Sequence, residues 1–176
     1  MTNRSQNLFI ALVLAHALAL VALFASADDT MQTKQAWQTN GLAGNVHDGD
    51  TFTLHAEGGN VYHIRLWGVD APELAQPYGD QSRWFLEHFL AGQQLALTCS
   101  GKSHKREVCR VEMSHGIDVG FLMVLSGMAY DSSKYSYGIY APPEAAARGK
   151  RLGVWAQTSA KRPWIFRREK DRVAGE

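Results

Sequence analysis

Four short stretches of β-rich or alternating sequence, residues 50–54, 61–67, 94–99 and 108–113, come in two pairs with a helical pattern between them. In the second pair, Leu95, Leu97 and Cys99 alternate on one strand face, and Cys109, Val111 and Met113 on the next. Glu57-Gly58-Gly59-Asn60 forms a turn within the first pair. The intervening helix is expected over about residues 80–91, with Phe85, Leu86, Phe89 and Leu90 as its apolar face and Gly92 closing it. A second helix is expected to start at Asp118, a good N-cap, with Phe121, Leu122 and Leu125 facing inward and Gly127 just after. A third begins after Pro142-Pro143 and runs through Glu144 to about Arg151.

This order of strands, helix, strands and helices predicts an α+β domain: a five-stranded, closed or partly closed OB-type barrel with about three packed helices. A chain of 176 residues has room for one such domain and little more. The expected domain spans residues 41–168. Residues 28–40, polar and without periodicity, read as a lead-in linker, and 169–176 as a basic C-terminal tail.

Arg4 is the only charge before Asp28, residues 8–24 are almost wholly apolar, and Ala25-Ser26-Ala27 supplies small residues before Asp28-Asp29. That order predicts a secretory signal over residues 1–27, cut after Ala27, and a periplasmic or secreted protein that meets the membrane only transiently. An apolar run of about 17 residues also sits at the lower limit of a spanning helix, so a retained membrane anchor is the other reading. Export would favour a disulfide between Cys99 and Cys109, which a hairpin can bring opposite each other; two separately buried thiols are the alternative.

Beyond Ala27, acidic and basic residues are equal in number, which argues against an indiscriminate polycation. Their distribution is uneven. Residues 28–90 hold nine acidic and three basic side chains, whereas residues 148–172 hold nine basic and two acidic. Such a chain can hold a metal at one end and phosphates along the other, although an ordinary solvated surface has the same composition.

Three segments carry chemistry. In Val46-His47-Asp48-Gly49-Asp50-Thr51 the carboxylates of Asp48 and Asp50 are two residues apart. Two such anions about 4 Å apart repel by roughly 4 kcal/mol at an effective dielectric of about 20. A hard cation would offset that repulsion; a plain turn with solvated aspartates also fits the hexapeptide. In Ile64-Arg65-Leu66-Trp67-Gly68-Val69-Asp70-Ala71-Pro72-Glu73 a charge stands in an apolar strand, where it is costly unless paired. Asp70 can share a cation with the first segment, Glu73 can accept a proton from water, and Arg65 can grip a phosphate. The same residues also suit a structural ion pair in a loop. Lys105-Arg106-Glu107-Val108, between the cysteine-bearing strands, offers a second arginine on a basic loop.

Taken together, V-x-D-G-D-T, I-R-L-x-G-V-D-A-P-E and Q-P-Y-G resemble the signature of the staphylococcal nuclease-like (thermonuclease) family. G-M-A-Y, E-A-x-A-R-G-K-R-L-G-V-W and P-W-I-F-R-R are similar to its C-terminal portion, so the resemblance covers about residues 41–168. It implies a Ca²⁺-dependent, sequence-non-specific nuclease that cleaves DNA and RNA to 3′-phosphate ends. Asp50, Asp70 and the backbone carbonyl of Ala71 would then ligate Ca²⁺, with Asp48 behind them orienting the ion's water. Glu73 would be the general base or position the attacking water, and Arg65 and Arg106 would stabilise charge on the phosphoryl and leaving oxygens. The family pattern Asp-x-Tyr-Gly-Arg is replaced here by Lys102-Ser103-His104-Lys105-Arg106, which retains only the arginine. Arg110 is the less favoured substitute.

His104 and Lys105 are candidate nucleic-acid contacts. So are the tyrosines clustered at Tyr130, Tyr135, Tyr137 and Tyr140, of which Tyr135 resembles a family position that contacts nucleotide. Packing against the barrel is the other use for each tyrosine, and Trp155 and Trp164 read as core or docking residues. A catalytically silent OB-fold domain that binds nucleic acid is the rival function, against which Asp50, Asp70, Glu73 and Arg65 are all present. The resemblance also admits an exported, plasmid-encoded member from a maintenance or partition region.

Overall fold

The computed structural model describes residues 36–175; the expected signal segment and the junction after Ala27 lie outside the described residues. The barrel is built from β1 (Trp37–Asp48), β2 (Thr51–Ala56), β3 (Val61–Leu66), β5 (Gln94–Ser103) and β6 (Arg106–Met113). β1 pairs antiparallel with both β2 and β5, β2 with β3, and β5 with β6. A parallel pairing of β3 with β6 closes the ring. Shifts of register near Val46 bend β1 as it passes from one partner to the other. A short β7 (Ile117–Asp118) extends β6, while β4 (Val69–Asp70) pairs with β8 (Tyr130–Asp131) in a separate ribbon.

The period-two pattern fills the barrel as expected. Phe52, Leu54, Ile64, Leu66, Leu95, Leu97, Cys99, Cys109 and Val111 all point into one apolar core. Cys99 pairs directly with Cys109 across β5 and β6, and the two are joined in a disulfide.

Five α-helices, rather than about three, surround the barrel among the described residues: α1 (Gly79–Leu90), α2 (Val119–Leu125), α3 (Ser133–Ser136), α4 (Ala141–Gly149) and α5 (Pro163–Ala174). Asp118 caps α2 by accepting from the Phe121 amide at 3.0 Å. The inward face of α2 differs from expectation. Val119, Gly120, Met123 and Val124 are buried, whereas Phe121 and Leu125 are 43 % and 37 % exposed. Helical periodicity aligns the buried four, and side-chain size alone selects the wrong face. α4 starts at Ala141 and takes both prolines into its first turn, where their missing amides have no helical partner to lose.

Two boundaries also move. β1 begins at Trp37, inside the stretch read as a linker, because residues 37–42 hydrogen-bond to β5 with Trp37 opposite Cys99. That order is imposed by a partner strand some 60 residues away and leaves no local periodicity. Similarly, α5 runs across the boundary between the expected domain and its basic tail. No helix among the described residues is long and apolar enough to cross a membrane.

Two glycines allow close approaches near the upper rim. Gly68 has φ of 73°, and a Cβ there would stand 3.0 Å from Ser136 and Tyr140. At Gly79 a Cβ would meet the Glu73 carbonyl oxygen at 2.2 Å, so the loop over residues 71–78 can fold onto the start of α1 only with glycine there. Gly79→Ala should therefore displace that loop and cost about 2 kcal/mol in urea denaturation. Reduction of Cys99–Cys109 should add the mass of two hydrogens by mass spectrometry and lower stability by about 2–3 kcal/mol.

Candidate active site

Strand register brings the first two chemical segments together. Thr51 lies opposite Arg65 across β2 and β3, and the Leu66 amide donates to the Asp50 carbonyl at 2.8 Å. The turn between β1 and β2 is fixed by Asp48, whose Oδ1 accepts from the Asp50 amide at 3.0 Å. Asp50 is thereby carried to the barrel mouth with its side chain almost wholly buried. Beyond β3, the chain turns at Gly68 into β4, and the pairing of Asp70 with Tyr130 places a second buried carboxylate nearby.

Arg65 spans these carboxylates. Its Nη1 donates to Asp50 Oδ1, and its Nη2 donates to Asp70 Oδ1 at 2.8 Å. Asp50 further accepts from Thr51 Oγ1 at 3.0 Å and from the Ala71 amide at 2.8 Å. Burial pushes the Asp50 carboxyl well above the usual carboxylate range, with Asp48 and Asp70 adding to the rise while Arg65 and the Ala71 amide oppose it. Burial disfavours charge on Arg65 too, but Asp50 and Asp70 outweigh it and hold the guanidinium pKa raised.

Glu73 follows on the loop over residues 71–78, which buried Gln76 locks in place. Gln76 Oε1 accepts from the Glu73 amide at 2.9 Å, and its Nε2 donates to the Lys161 carbonyl at 3.1 Å. Arg106 enters from β6, beside β3 in the parallel pair, and donates to Thr51 Oγ1 at 3.0 Å. Asp48, Asp50, Arg65, Asp70, Glu73 and Arg106 all line one open cavity of about 1000 Å³, and Ala71 lies in the same wall.

The nucleic-acid candidates divide. His104 and Tyr135 line the cavity, Tyr135 being 58 % exposed, and Tyr137 joins them. Lys105 is exposed but is not part of the cavity wall, because the β5–β6 turn directs only its flanking residues inward. Tyr130, expected among the contacts, is buried instead at 1 % exposure. Its ring packs edge-on against Trp155 and Trp164, and burial raises its hydroxyl pKa to about 12. Tyr140 is likewise structural, its hydroxyl donating to Asp118 at 2.9 Å. Arg110 donates to the same Asp118 at 2.8 Å and stands outside the cavity, so it is no substitute for Arg106.

The sequence reading missed Arg167. This α5 residue lines the cavity and reaches Asp70 Oδ2 at 2.8 Å, Asp70 Oδ1 at 3.2 Å and Glu73 Oε1 at 2.5 Å. Its hydrogen bond to Asp70, more than its bond to Glu73, holds the guanidinium pKa raised. Its signals were membership of a basic run and of the P-W-I-F-R-R stretch, and neither distinguishes Arg167 from its neighbouring arginines.

The donor set at the mouth consists of oxygens alone, and the Asp50 and Asp70 carboxylates already converge on one cationic group, so the residues fit a hard divalent cation. Among the described residues no three His, Cys, Asp or Glu side chains gather as a metal-holding group. A cation held there by two carboxylates would need further oxygen donors, water among them, to complete its shell.

The staphylococcal nuclease homologue family matches residues 63–157. An uncharacterized endonuclease of Haemophilus influenzae is 30 % identical over 125 residues, covering 70 % of this chain and 70 % of its own length. An uncharacterized endonuclease of Escherichia coli O157:H7 is 30 % identical over 127 residues, covering 71 % and 82 % respectively. A micrococcal nuclease of Shigella flexneri is 27 % identical over 177 residues, covering 86 % and 94 %. With the barrel, the paired aspartates and these relatives in agreement, the chain belongs to the staphylococcal nuclease family, as a hydrolase of the nuclease type.

Proposed function

We propose that the protein is a Ca²⁺-dependent nuclease that hydrolyses DNA and RNA without sequence preference and leaves 3′-phosphate ends. The observation that carries this reading is Arg65 touching both Asp50 and Asp70, which draws two distant segments to one point beside Glu73 and Arg106. Asp50, Asp70 and the Ala71 carbonyl would hold the cation, with Asp48 fixing the turn that presents Asp50. Bound there, Ca²⁺ would supply Lewis-acid stabilisation of the phosphoryl group.

The remaining work falls to side chains of this chain. Glu73 takes the proton of the attacking water as the new P–O bond forms and the bond to the 5′ oxygen breaks. Arg65 and Arg106 offer guanidinium groups to the charge that develops on the phosphoryl and leaving oxygens. Tyr135, exposed at the cavity rim beside Lys134, offers a ring on which any base can stack, which accounts for binding without base readout. A silent nucleic-acid-binding barrel would not require this convergence of carboxylates and arginines. The apolar leader and the Cys99–Cys109 disulfide support export to an oxidising compartment.

The purified chain should degrade single-stranded DNA when Ca²⁺ is supplied and stop when EGTA is added; undiminished cleavage in chelator would refute the metal assignment. Glu73→Gln should lower turnover by about 10²–10⁴-fold while oligonucleotide affinity stays close to that of the unmodified protein. Parallel loss of both quantities would make Glu73 a binding or folding residue.

A further inference from the structure

The C-terminal helix α5 is fastened at its beginning and reaches the active site about one turn later. At the fastened end, the Arg162 guanidinium lies 5.3 Å from the Tyr130 ring, 5.1 Å from Trp164 and 5.8 Å from Trp155, and pairs with Glu144 at 3.1 Å. The Lys161 carbonyl accepts from buried Gln76. Pro163 is the only residue of α5 that is fully buried. Arg167, one helical turn beyond Pro163, has a side chain 42 % exposed and, among the described residues, lies over no aromatic ring. Arg162 is thus built as an anchor, and Arg167 as a contact that can be released.

What Arg167 touches gives the contact its consequence. Arg65 occupies Asp70 Oδ1, whereas the hydrogen bond recorded at Asp70 Oδ2 comes from Arg167. The other terminal nitrogen of Arg167 occupies Glu73 Oε1. The guanidinium therefore touches both oxygens of Asp70, the residue that would hold a cation, and one oxygen of Glu73, the residue that would take a proton. A charged donor and a divalent cation compete for the same lone pairs.

We propose that Arg167 is a tethered counter-cation of the active site, which competes with the divalent ion for Asp70 and withdraws from Glu73 when that ion binds. The inference rests on the metal reading given above. It makes α5 part of the site: the helix neutralises the carboxylates while the ion is away, and the affinity of the chain for its ion is set below what Asp50 and Asp70 alone would provide. Arg65 occupies Asp50 Oδ1 and Asp70 Oδ1 and would also have to yield to the ion; Arg167 differs from it in holding Glu73 as well.

The test is a titration of the purified full chain with Tb³⁺, followed by luminescence sensitised through the tryptophans (Trp164 lines the cavity) and repeated as displacement by Ca²⁺. Arg167→Gln should tighten binding by about fivefold, the value of a half-exposed ion pair, and Arg167→Lys should fall between it and the unmodified chain. Arg168→Gln, which removes an exposed neighbouring charge, should leave the affinity unchanged. Unchanged or weaker binding in Arg167→Gln would overturn the proposal while leaving the metal reading intact. Equal tightening by Arg168→Gln would also overturn it, since bulk charge would then be the cause. Absence of ion binding in the unmodified chain, with no response to Asp70→Asn, would overturn the metal reading and this inference with it. Thermal melting of each variant without metal checks that the fold is retained.

Discussion

A guanidinium held between two buried carboxylates is the interaction on which the upper end of this molecule depends. Asp50 comes from the β1–β2 turn and Asp70 from β4, both lie out of water, and each would be expensive to bury as an unpaired anion. Arg65 makes the arrangement tolerable by donating to both. It can do so because β2 and β3 pair with Thr51 opposite Arg65, and because the parallel pairing of β3 with β6 closes the barrel just below. The compensation is incomplete: burial, with Asp48 and Asp70 adding to it, still pushes the Asp50 carboxyl above the usual carboxylate range, toward its neutral form.

Much of the remaining structure serves to hold the loop over residues 71–78 against that centre. Gln76 links the Glu73 amide to the C-terminal segment, and Gly79 allows the loop to lie on α1. On the other side, Ser82 Oγ donates to the Met128 carbonyl at 2.6 Å, tying α1 to the turn after α2. Tyr140 and Arg110 share Asp118 as their acceptor, so α4, β6 and the cap of α2 meet at one carboxylate. The ring of aromatic residues around Arg162 performs the same service for α5. The acidic and basic ends of the sequence are consequently not opposite poles: Asp70 and Glu73 meet Arg167 directly in one cavity.

The elements that were legible in advance share one property, which is that their signal is local. The barrel strands announce themselves by period two because one face of each is buried, and α1 by period 3.6 for the same reason. The carboxylates and Arg65 stood out because charges sit at short spacing in two otherwise apolar segments, and their roles came from the resemblance to the staphylococcal nuclease-like family. Cys99 and Cys109 were readable as a pair because alternation put both on inward faces. By contrast, the early start of β1 at Trp37 and the burial of Tyr130 depend on partners far away in the chain. Phe121 and Leu125 misled because large apolar side chains can lie at a surface when smaller ones complete the core.

The sequence by itself determined the class of the fold, the residues that fill its core and the acids and arginine of the first two segments. Each of these follows from a pattern spanning no more than a few strand or helix repeats. Tertiary structure alone decided which of several equivalent arginines enters the site, which of four tyrosines line the cavity, and that Asp50 and Asp70 share one guanidinium. Those outcomes turn on distances between segments up to 97 residues apart, as with Arg167 and Asp70, and such distances are fixed only when the barrel closes and the helices dock. A charged residue has the same local preferences wherever it will end up; what it meets is set by the packing of everything else.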